Sequence, residues 1–183
     1  MVLACGTARY NLLTLPAAQF PLLEHDLQQQ STSDAIEVVM TQGNLKTLLD
    51  KTSFSMANKD IRRYLNGLSF RVTPGQIQAI STDGHRLSYC YVNEENTSGA
   101  EQQIILPRRS VGELMRLMPS SDDKVTLRIL ENFITISFGD YVFISKLLEG
   151  SFPDCDATIN TQRDKKILFP KKALTEVLHR TKI

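Results

Sequence analysis

Apolar residues alternate with polar ones in several short runs of the chain, and this period of two predicts β-strands. The first such run is "AIEVVM", residues 35–40, in which Ile36, Val38 and Met40 occupy alternate positions. The remaining predicted strands cover residues 65–72, 76–82, 86–92, 103–106, 125–129, 134–138 and 141–147.

Two stretches change to a helical period, with apolar residues three or four positions apart. The first follows Thr41, which is suited to cap the start of a helix. The second follows Pro107, which is suited to the first helical turn because its missing N–H costs nothing there. Their apolar positions are Leu45, Leu48, Leu49 and Met56 in the first and Val111, Leu114, Met115 and Met118 in the second. The order of elements is therefore βαβββ twice, which predicts an α+β domain with two helices packed on antiparallel sheets.

The chain also contains two internal repeats, which bear on its domain organisation. The segment "IILPRRSVGELMR" (104–116) resembles "ILFPKKALTEVLH" (167–179), each with a short apolar strand, a proline, two basic residues and a helix. The segment "CGTARYNLLTLPAAQFP" (5–21) resembles "FGDYVFISKLLEGSFP" (138–153), and each closes on Phe-Pro.

The repeats predict three parts in the chain. Residues 1–30 are expected to be the tail of a first domain with its linker. Residues 31–154 are expected to form a complete central domain. Residues 155–183 are expected to be a linker and the start of a third domain of the same kind.

Composition narrows the cellular setting and the classes of partner. The formal net charge is +1, so a role with nucleic acid must depend on local clusters of basic residues. Cys5, Cys90 and Cys155 are odd in number and far apart, which fits a reducing cytosol better than a disulfide framework. No signal peptide or bilayer-spanning run is recognisable. We therefore expect a cytoplasmic protein with no membrane partner.

The stretch "STDGHRLSYC" (81–90) is the candidate site with the most unusual chemistry. Asp83 and Gly84 predict a tight hairpin turn, because both tolerate a positive φ. Ser81, Asp83 and His85 permit a hydrolase interpretation, but alternate residues around a turn do not converge as a catalytic triad does. The sequence has no phosphate-binding or dinucleotide motif, and its histidines lack zinc-ligand spacing. We expect no catalytic residues, no metal site and no cofactor.

Basic residues avoid the apolar positions of both predicted helices and crowd into the loop "NKDIRRYLNG" (58–67). Such residues can neutralise phosphates without reading bases. They can equally form an ordinary solvated helix face. Charge alone leaves both interpretations open. The residues are Lys46 and Lys51 on the first helix, Arg108, Arg109 and Arg116 on the second, and Lys59, Arg62 and Arg63 beside Tyr64 in the loop.

Five motifs together resemble the β subunit of bacterial DNA polymerase III, the sliding clamp family. They are "TLPAAQFP", "FSMANKDIRRYLNG", "STDGHRL", "LPRRSVGELMRLM" and "SKLLEGSFPD", in the family's order along nearly the whole chain. The resemblance implies the DNA clamp fold, with three similar domains per protomer and two protomers closed head-to-tail around duplex DNA. It further implies a processivity factor that catalyses no reaction.

The resemblance also implies partners and site residues. A groove on the central domain would receive short linear peptides from polymerases and the clamp loader. Its walls would be Leu65, Thr82, Gly84, His85, Arg86 and Leu87, with Pro153 at the edge. Contacts to duplex DNA would come from Lys59, Arg62, Arg63, Tyr64, Arg108 and Arg109. The alternative to a clamp is an autonomous module that binds nucleic acid without a ring.

Overall fold

The structure is a computed structural model that describes residues 1–20, 35–94, 101–159 and 164–181. Contacts divide the chain into two units, Met1–Phe152 and Pro153–Ile183. This division lies two residues before the expected boundary at residue 154. The other expected boundary, at residue 30, lies outside the described residues.

In its described residues, the first unit contains ten strands and two α-helices. The strands are β1 (Val2–Cys5), β2 (Ala8–Asn11), β3 (Ile36–Thr41), β4 (Gly67–Thr73), β5 (Gln76–Thr82), β6 (Leu87–Asn93), β7 (Gln102–Pro107), β8 (Lys124–Ile129), β9 (Phe133–Phe138) and β10 (Tyr141–Lys146). The helices are α1 (Gln42–Thr52) and α2 (Arg108–Leu117). The predicted βαβββ repeat is confirmed by this order. Pro107 ends β7 and precedes the helix, one position earlier than expected.

The two halves of the repeat exchange their first strands. One four-stranded antiparallel sheet has the order β6-β5-β4-β7, a second has the order β10-β9-β8-β3, and β1 and β2 form a separate two-stranded sheet. Each four-stranded sheet therefore takes three consecutive strands from one half and the opening strand of the other. Val38 lies opposite Leu127 across the β3–β8 pair, and Phe70 lies opposite Ile104 across the β4–β7 pair. The exchange joins the halves into one folding unit.

Helix α1 forms where the sequence predicts it. The Thr41 hydroxyl accepts a hydrogen bond from the Asn44 backbone N–H at 3.1 Å, which satisfies one of the free donors of the first turn. Leu45, Leu48 and Leu49 are fully buried, as the apolar stripe requires. The prediction that Met56 belongs to this helix is wrong. The helix ends at Thr52, a 3₁₀ turn follows at Ser53–Ser55, and Met56 comes directly after that turn.

A single hydrophobic core joins both helices and both sheets. Its buried side chains include Val38 of β3, Leu68 of β4, Leu114 of α2 and Ile136 of β9. Helix α1 contacts β5 and β6, helix α2 contacts β4 and β7, and the two helices contact each other. The two helices thus lie side by side and pack on antiparallel sheets, as expected, with both of them in contact with the β6-β5-β4-β7 sheet.

The described residues of the second unit, 153–159 and 164–181, contain two helices, α3 (Asp156–Ile159) and α4 (Lys171–Thr181). The strand predicted before α4 is wrong, because Ile167–Phe169 is irregular and all three side chains are exposed. A strand requires a neighbour for its backbone hydrogen bonds. Among the described residues of this unit there is no strand to provide one. No helix in the described ranges is both long and apolar enough to cross a membrane.

Candidate binding site at the β5–β6 loop

The loop between β5 and β6 presents His85 and Arg86 at the surface. Thr82 and Leu87 are the last paired residues of the two strands, so the loop has four residues, Asp83–Arg86. The predicted strands, 76–82 and 86–92, leave three residues between them, so the observed loop is one residue longer because Arg86 belongs to it. Gly84 adopts the positive φ that the sequence indicated, at 92°.

Asp83 fixes the loop through its carboxylate. Oδ1 accepts hydrogen bonds from the backbone N–H groups of His85 and Arg86, both at 3.0 Å. Oδ2 accepts from Arg86 Nε at 3.1 Å. The backbone hydrogen bond from His85, followed by that from Arg86, lowers the pKa of Asp83 to about 2. Asp83 is therefore ionised at neutral pH and serves as the turn residue that the sequence favoured over a catalytic one.

The Thr82 side chain stabilises the same loop through two hydrogen bonds. Its hydroxyl accepts from the Gly84 N–H at 3.0 Å and donates to the Arg86 carbonyl at 2.7 Å. Arg86 in turn donates from Nη2 to the Phe54 carbonyl at 2.8 Å, which ties the loop to the segment after α1. The β5–β6 loop is thus held at both ends by hydrogen bonds.

A second loop, residues 57–66, lies against the first. The guanidinium of Arg62 binds the Asp60 carboxylate through two hydrogen bonds, at 3.0 and 2.9 Å. Asn66 exchanges hydrogen bonds with the Asp60 backbone, at 2.9 and 2.8 Å. The side-chain hydrogen bond from Arg62 is the largest cause that lowers the pKa of Asp60 to about 2. Arg62 also lies close to Gly84, since a Cβ on that glycine would be 3.3 Å from Arg62 Nη2.

An open pocket of about 490 Å³ lies between the two loops. It is lined by Met56, Ala57, Asn58, Lys59, Asp60, Arg62, Asp83, His85, Arg86 and Arg108. Three segments that are distant in sequence therefore meet in one pocket: residues 56–62, residues 83–86 and the start of α2.

Cations outnumber carboxylates in the lining of this pocket. The two carboxylates, Asp60 and Asp83, are already paired with Arg62 and Arg86. Lys59 and Arg108 have no carboxylate partner among the residues that the structure describes. Arg108 donates from Nη1 to the Met56 carbonyl at 2.7 Å, and Lys59 has a positive φ of 60°. The pocket thus carries unneutralised positive charge.

The structure separates the predicted groove residues into three groups. Gly84, His85 and Arg86 are exposed on the loop, and Leu87 is half-buried. Leu65 is 2% exposed and Thr82 is 8% exposed, so the expectation that they form an open wall is wrong for this structure. The Leu65 side chain is buried, and the Thr82 hydroxyl is used inside the loop. Pro153 is exposed and belongs to the second unit.

The residues predicted to contact DNA are mostly at the surface. Lys59, Arg62, Arg63, Arg108 and Arg109 are exposed, and Tyr64 is half-buried. On the two helices, two of the basic residues expected at the surface already have partners within the protein. Lys46 of α1 donates to the Met115 and Met118 carbonyls at 3.3 and 3.2 Å. Arg116 of α2 pairs with Glu113 at 2.6 Å.

The hydrolase interpretation is contradicted by the same geometry. The buried Ser81 hydroxyl donates to the Thr52 carbonyl, while Asp83 accepts from backbone N–H groups and from Arg86. No hydrogen bond connects Ser81 with His85 among those found in the described residues. The described part of the chain also contains no cluster of three metal-ligating side chains.

Sequence reasoning missed Asp60, Asn66 and the part that Met56 and Ala57 play in the pocket. The pattern Asp-x-Arg at residues 60–62 is a signal for a local ion pair, because both side chains can turn back over the same loop. No comparable signal exists for Met56 and Ala57, whose carbonyls accept from Arg108 across 52 and 51 residues.

Comparison with known proteins gives a consistent result. A family model described as the central domain of the DNA polymerase III beta subunit matches residues 39–154. The beta sliding clamp of Pseudomonas aeruginosa is 34% identical over 183 residues, which is all of this chain and 48% of that protein. The beta sliding clamp of Escherichia coli strain K12 is 37% identical over 167 residues, 91% of this chain and 44% of that protein.

A solved structure agrees with the sequence comparison. The crystal structure of the DNA polymerase III subunit beta from Pseudomonas aeruginosa superimposes with a TM-score of 0.83 at 33% identity. The superposition covers 98% of this chain and 48% of that one. The chain therefore has the same fold and spans about half the length of these relatives.

Proposed function

The chain belongs to the DNA polymerase III beta subunit family, and from this premise we propose that it acts as part of a DNA sliding clamp. In this function it tethers replication proteins to duplex DNA in the bacterial cytoplasm and catalyses no reaction. The complete protein would close into a head-to-tail ring of two protomers. The match of residues 39–154 to the family's central domain supports the proposal.

We propose that the pocket between the β5–β6 loop and residues 56–62 receives short peptides from polymerases and the clamp loader. The observation that carries this proposal is the shared lining of the pocket. His85 and Arg86, expected at a peptide groove, line the same pocket as Lys59, Arg62 and Arg108. Concave sites with a few fixed polar groups are where small ligands and peptide side chains bind. The hydrogen bonds within the two loops hold these side chains at the pocket in the absence of a peptide.

The apolar part of such a groove would be provided differently from the expectation. Leu65 is buried, so it supports the site from the interior and does not contact the peptide. Leu87 is half-buried at the start of β6, and Ile61 is 95% exposed beside Arg62. We propose Leu87 as the apolar contact nearest to the loop, with the aliphatic stem of Arg86 beside it.

Contacts to duplex DNA would come from exposed basic residues of the loop at residues 57–66 and of helix α2. Arg63 and Arg109 are exposed and have no carboxylate partner among the described residues. Long side chains of this kind hold phosphates without reading bases, which suits a ring that slides. The same two residues are the observation that favours the alternative, an autonomous module that binds nucleic acid.

Calorimetric titration of the 183-residue chain with a clamp-binding peptide tests the proposed peptide site. We expect His85→Glu to weaken binding at least fivefold, because His85 is exposed in the pocket that the peptide would enter. The fold should be kept, because the His85 side chain makes no hydrogen bond or ion pair with the residues that the structure describes. Lys124→Glu on β8 is the matched control and should bind like the unaltered chain. Equal affinity for the His85→Glu and unaltered chains would argue against a peptide site at this loop.

A further inference from the structure

We propose that the pocket selects partner peptides that carry a carboxylate, and that Lys59 is the residue that determines this preference. The inference rests on the proposed function, because it assumes that peptides bind beside the β5–β6 loop. It goes further by assigning a charge requirement to the partner and a residue to that requirement.

The charges that line the pocket carry the first step. Asp60 and Asp83 each hold an arginine, and both carboxyl groups have a pKa of about 2, so both pairs persist at neutral pH. Arg62 and Arg86 are therefore already neutralised. Lys59 and Arg108 remain as positive charges without a carboxylate in the described part of the chain. An incoming carboxylate would supply the missing negative charge.

The two unpaired cations differ in how free they are to bind a ligand. Arg108 already donates to the Met56 carbonyl at 2.7 Å and to the Ala57 carbonyl at 3.4 Å, so part of its guanidinium is used to hold the loop. Lys59 is exposed, and none of the hydrogen bonds or ion pairs of the described residues uses its ammonium group. Lys59 is therefore the cation that is available to bind a carboxylate of the peptide.

The backbone at Lys59 is also held in an uncommon conformation. Its φ of 60° is costly for a residue with a side chain, and such conformations persist only where the surrounding structure enforces them. The next residue, Asp60, is fixed by Asn66 and Arg62. The position of Lys59 at the pocket is thus determined by its neighbours and does not depend on a bound ligand.

The lining favours a single carboxylate over a nucleic-acid backbone. The pocket is concave and has a volume of about 490 Å³, which admits the side chain of a peptide, whereas a duplex is too wide to enter it and could meet only its rim. One carboxylate on a peptide can approach Lys59 without bringing further negative charge. The pocket also includes His85 and Arg86, which the proposed function assigns to peptide contact.

Two peptides that differ only in one residue test this inference. Both are fluorescent clamp-binding peptides, one with Glu and one with Gln immediately beside the apolar anchor, titrated with the full 183-residue chain by anisotropy. We expect the Glu peptide to bind about fivefold more tightly at low salt, the size of a good exposed ion pair. The advantage should shrink as salt is raised.

The variant Lys59→Gln should abolish the difference between the two peptides while leaving the Gln peptide's affinity unchanged. Lys124→Gln, which removes one exposed lysine from β8, should leave the fivefold ratio intact. Backbone NMR spectra of both variants check that the fold is retained. If Lys59→Gln keeps the ratio, another cation is responsible and the inference is overturned.

The remaining outcomes separate this inference from the proposed function. Equal binding of the Glu and Gln peptides overturns the charge requirement while the peptide site stands. Failure of both peptides to bind overturns the proposed function and the inference together. If Lys59→Gln lowers affinity for duplex DNA and leaves the peptide ratio unchanged, the pocket serves phosphate and the inference is wrong.

Discussion

The residues in and around the β5–β6 loop differ in whether their contacts are local in sequence or depend on distant segments. The capping role of Asp83 and the positive φ of Gly84 could be predicted, because each depends on residues within three positions. The burial of Leu65 could not, because it depends on how residues far away in sequence pack around it. The family resemblance implied DNA contact for Arg108, but its hydrogen bonds to the Met56 and Ala57 carbonyls depend on tertiary structure.

The Asp83 carboxyl provides a direct test at this scale. We expect its NMR titration midpoint near pH 2, below the usual value of about 3.9, because the folded loop binds the ionised form. A lowered pKa stabilises the fold above the unfolded value, and this contribution is lost as the pH falls from about 4 through 2. A midpoint close to 4 would show that the loop hydrogen bonds do not persist in solution.

Gly84 tests the backbone of the same loop. We expect Gly84→Ala to lower the free energy of unfolding by about 1–2 kcal/mol, because alanine is strained at positive φ and its Cβ would approach Arg62 Nη2 at 3.3 Å. The chain has no tryptophan, so guanidinium unfolding is followed by far-ultraviolet circular dichroism.

The matched control is Gly112→Ala in helix α2. A Cβ there would meet nothing within 4 Å, and alanine favours a helix, so stability should rise by about 0.5–1 kcal/mol. Opposite signs for the two substitutions are the expected result. A Gly84→Ala chain as stable as the unaltered one would contradict the loop conformation described here.

At the scale of elements, the βαβββ repeat followed from periodicity, but the pairing of strands did not. Alternation of apolar residues identifies a strand and its buried face, and it contains no information about the neighbouring strand. The exchange of β3 and β7 between the two sheets therefore emerges only from the structure. The strand expected before α4 shows the converse, since this apolar run has no neighbouring strand in the described part of its unit and stays irregular.

Lys46 makes an element-scale contact that the charge pattern did not indicate, since that pattern left only phosphate contact and a solvated helix face open. Its ammonium group donates to the Met115 and Met118 carbonyls at the end of α2, where the helix leaves acceptors free. We expect Lys46→Met to cost about 1 kcal/mol of stability, because methionine keeps the aliphatic packing and removes the hydrogen bonds.

Lys51→Met is the control for this substitution, since Lys51 is exposed on the same helix. Its effect should remain within about 0.5 kcal/mol. Guanidinium unfolding of both variants provides the comparison. An equal effect of the two substitutions would mean that Lys46 does not connect the helices.

At the scale of the whole molecule, the candidate site depends on three segments that are brought together by folding. Residues 56–62, residues 83–86 and Arg108 line one pocket, although a sequence motif can place each of them only within its own segment. The family motifs indicated which residues to consider. The motifs could not indicate that three residues expected to contact DNA and two expected to contact peptide line the same pocket, because that depends on the tertiary structure.

Binding to linear duplex DNA distinguishes a clamp segment from an autonomous nucleic-acid-binding module. With a formal net charge of +1 and about half the length of its relatives, the chain is expected to bind duplex more weakly than about 100 µM at 150 mM salt. An autonomous module would bind in the micromolar range with a steep salt dependence. Micromolar affinity that is abolished by Arg63→Glu and Arg109→Glu would favour the module.

The account depends most on the location of the peptide, and NMR mapping on the 183-residue chain tests that location directly. Titration with a short clamp-binding peptide from a bacterial replicative polymerase should shift the backbone amides of residues 56–62 and 83–87. Amides of β8 and β9, on the other sheet, should not move. Shifts confined to regions outside the two loops, or no shifts at saturating peptide, would contradict a peptide site at the pocket.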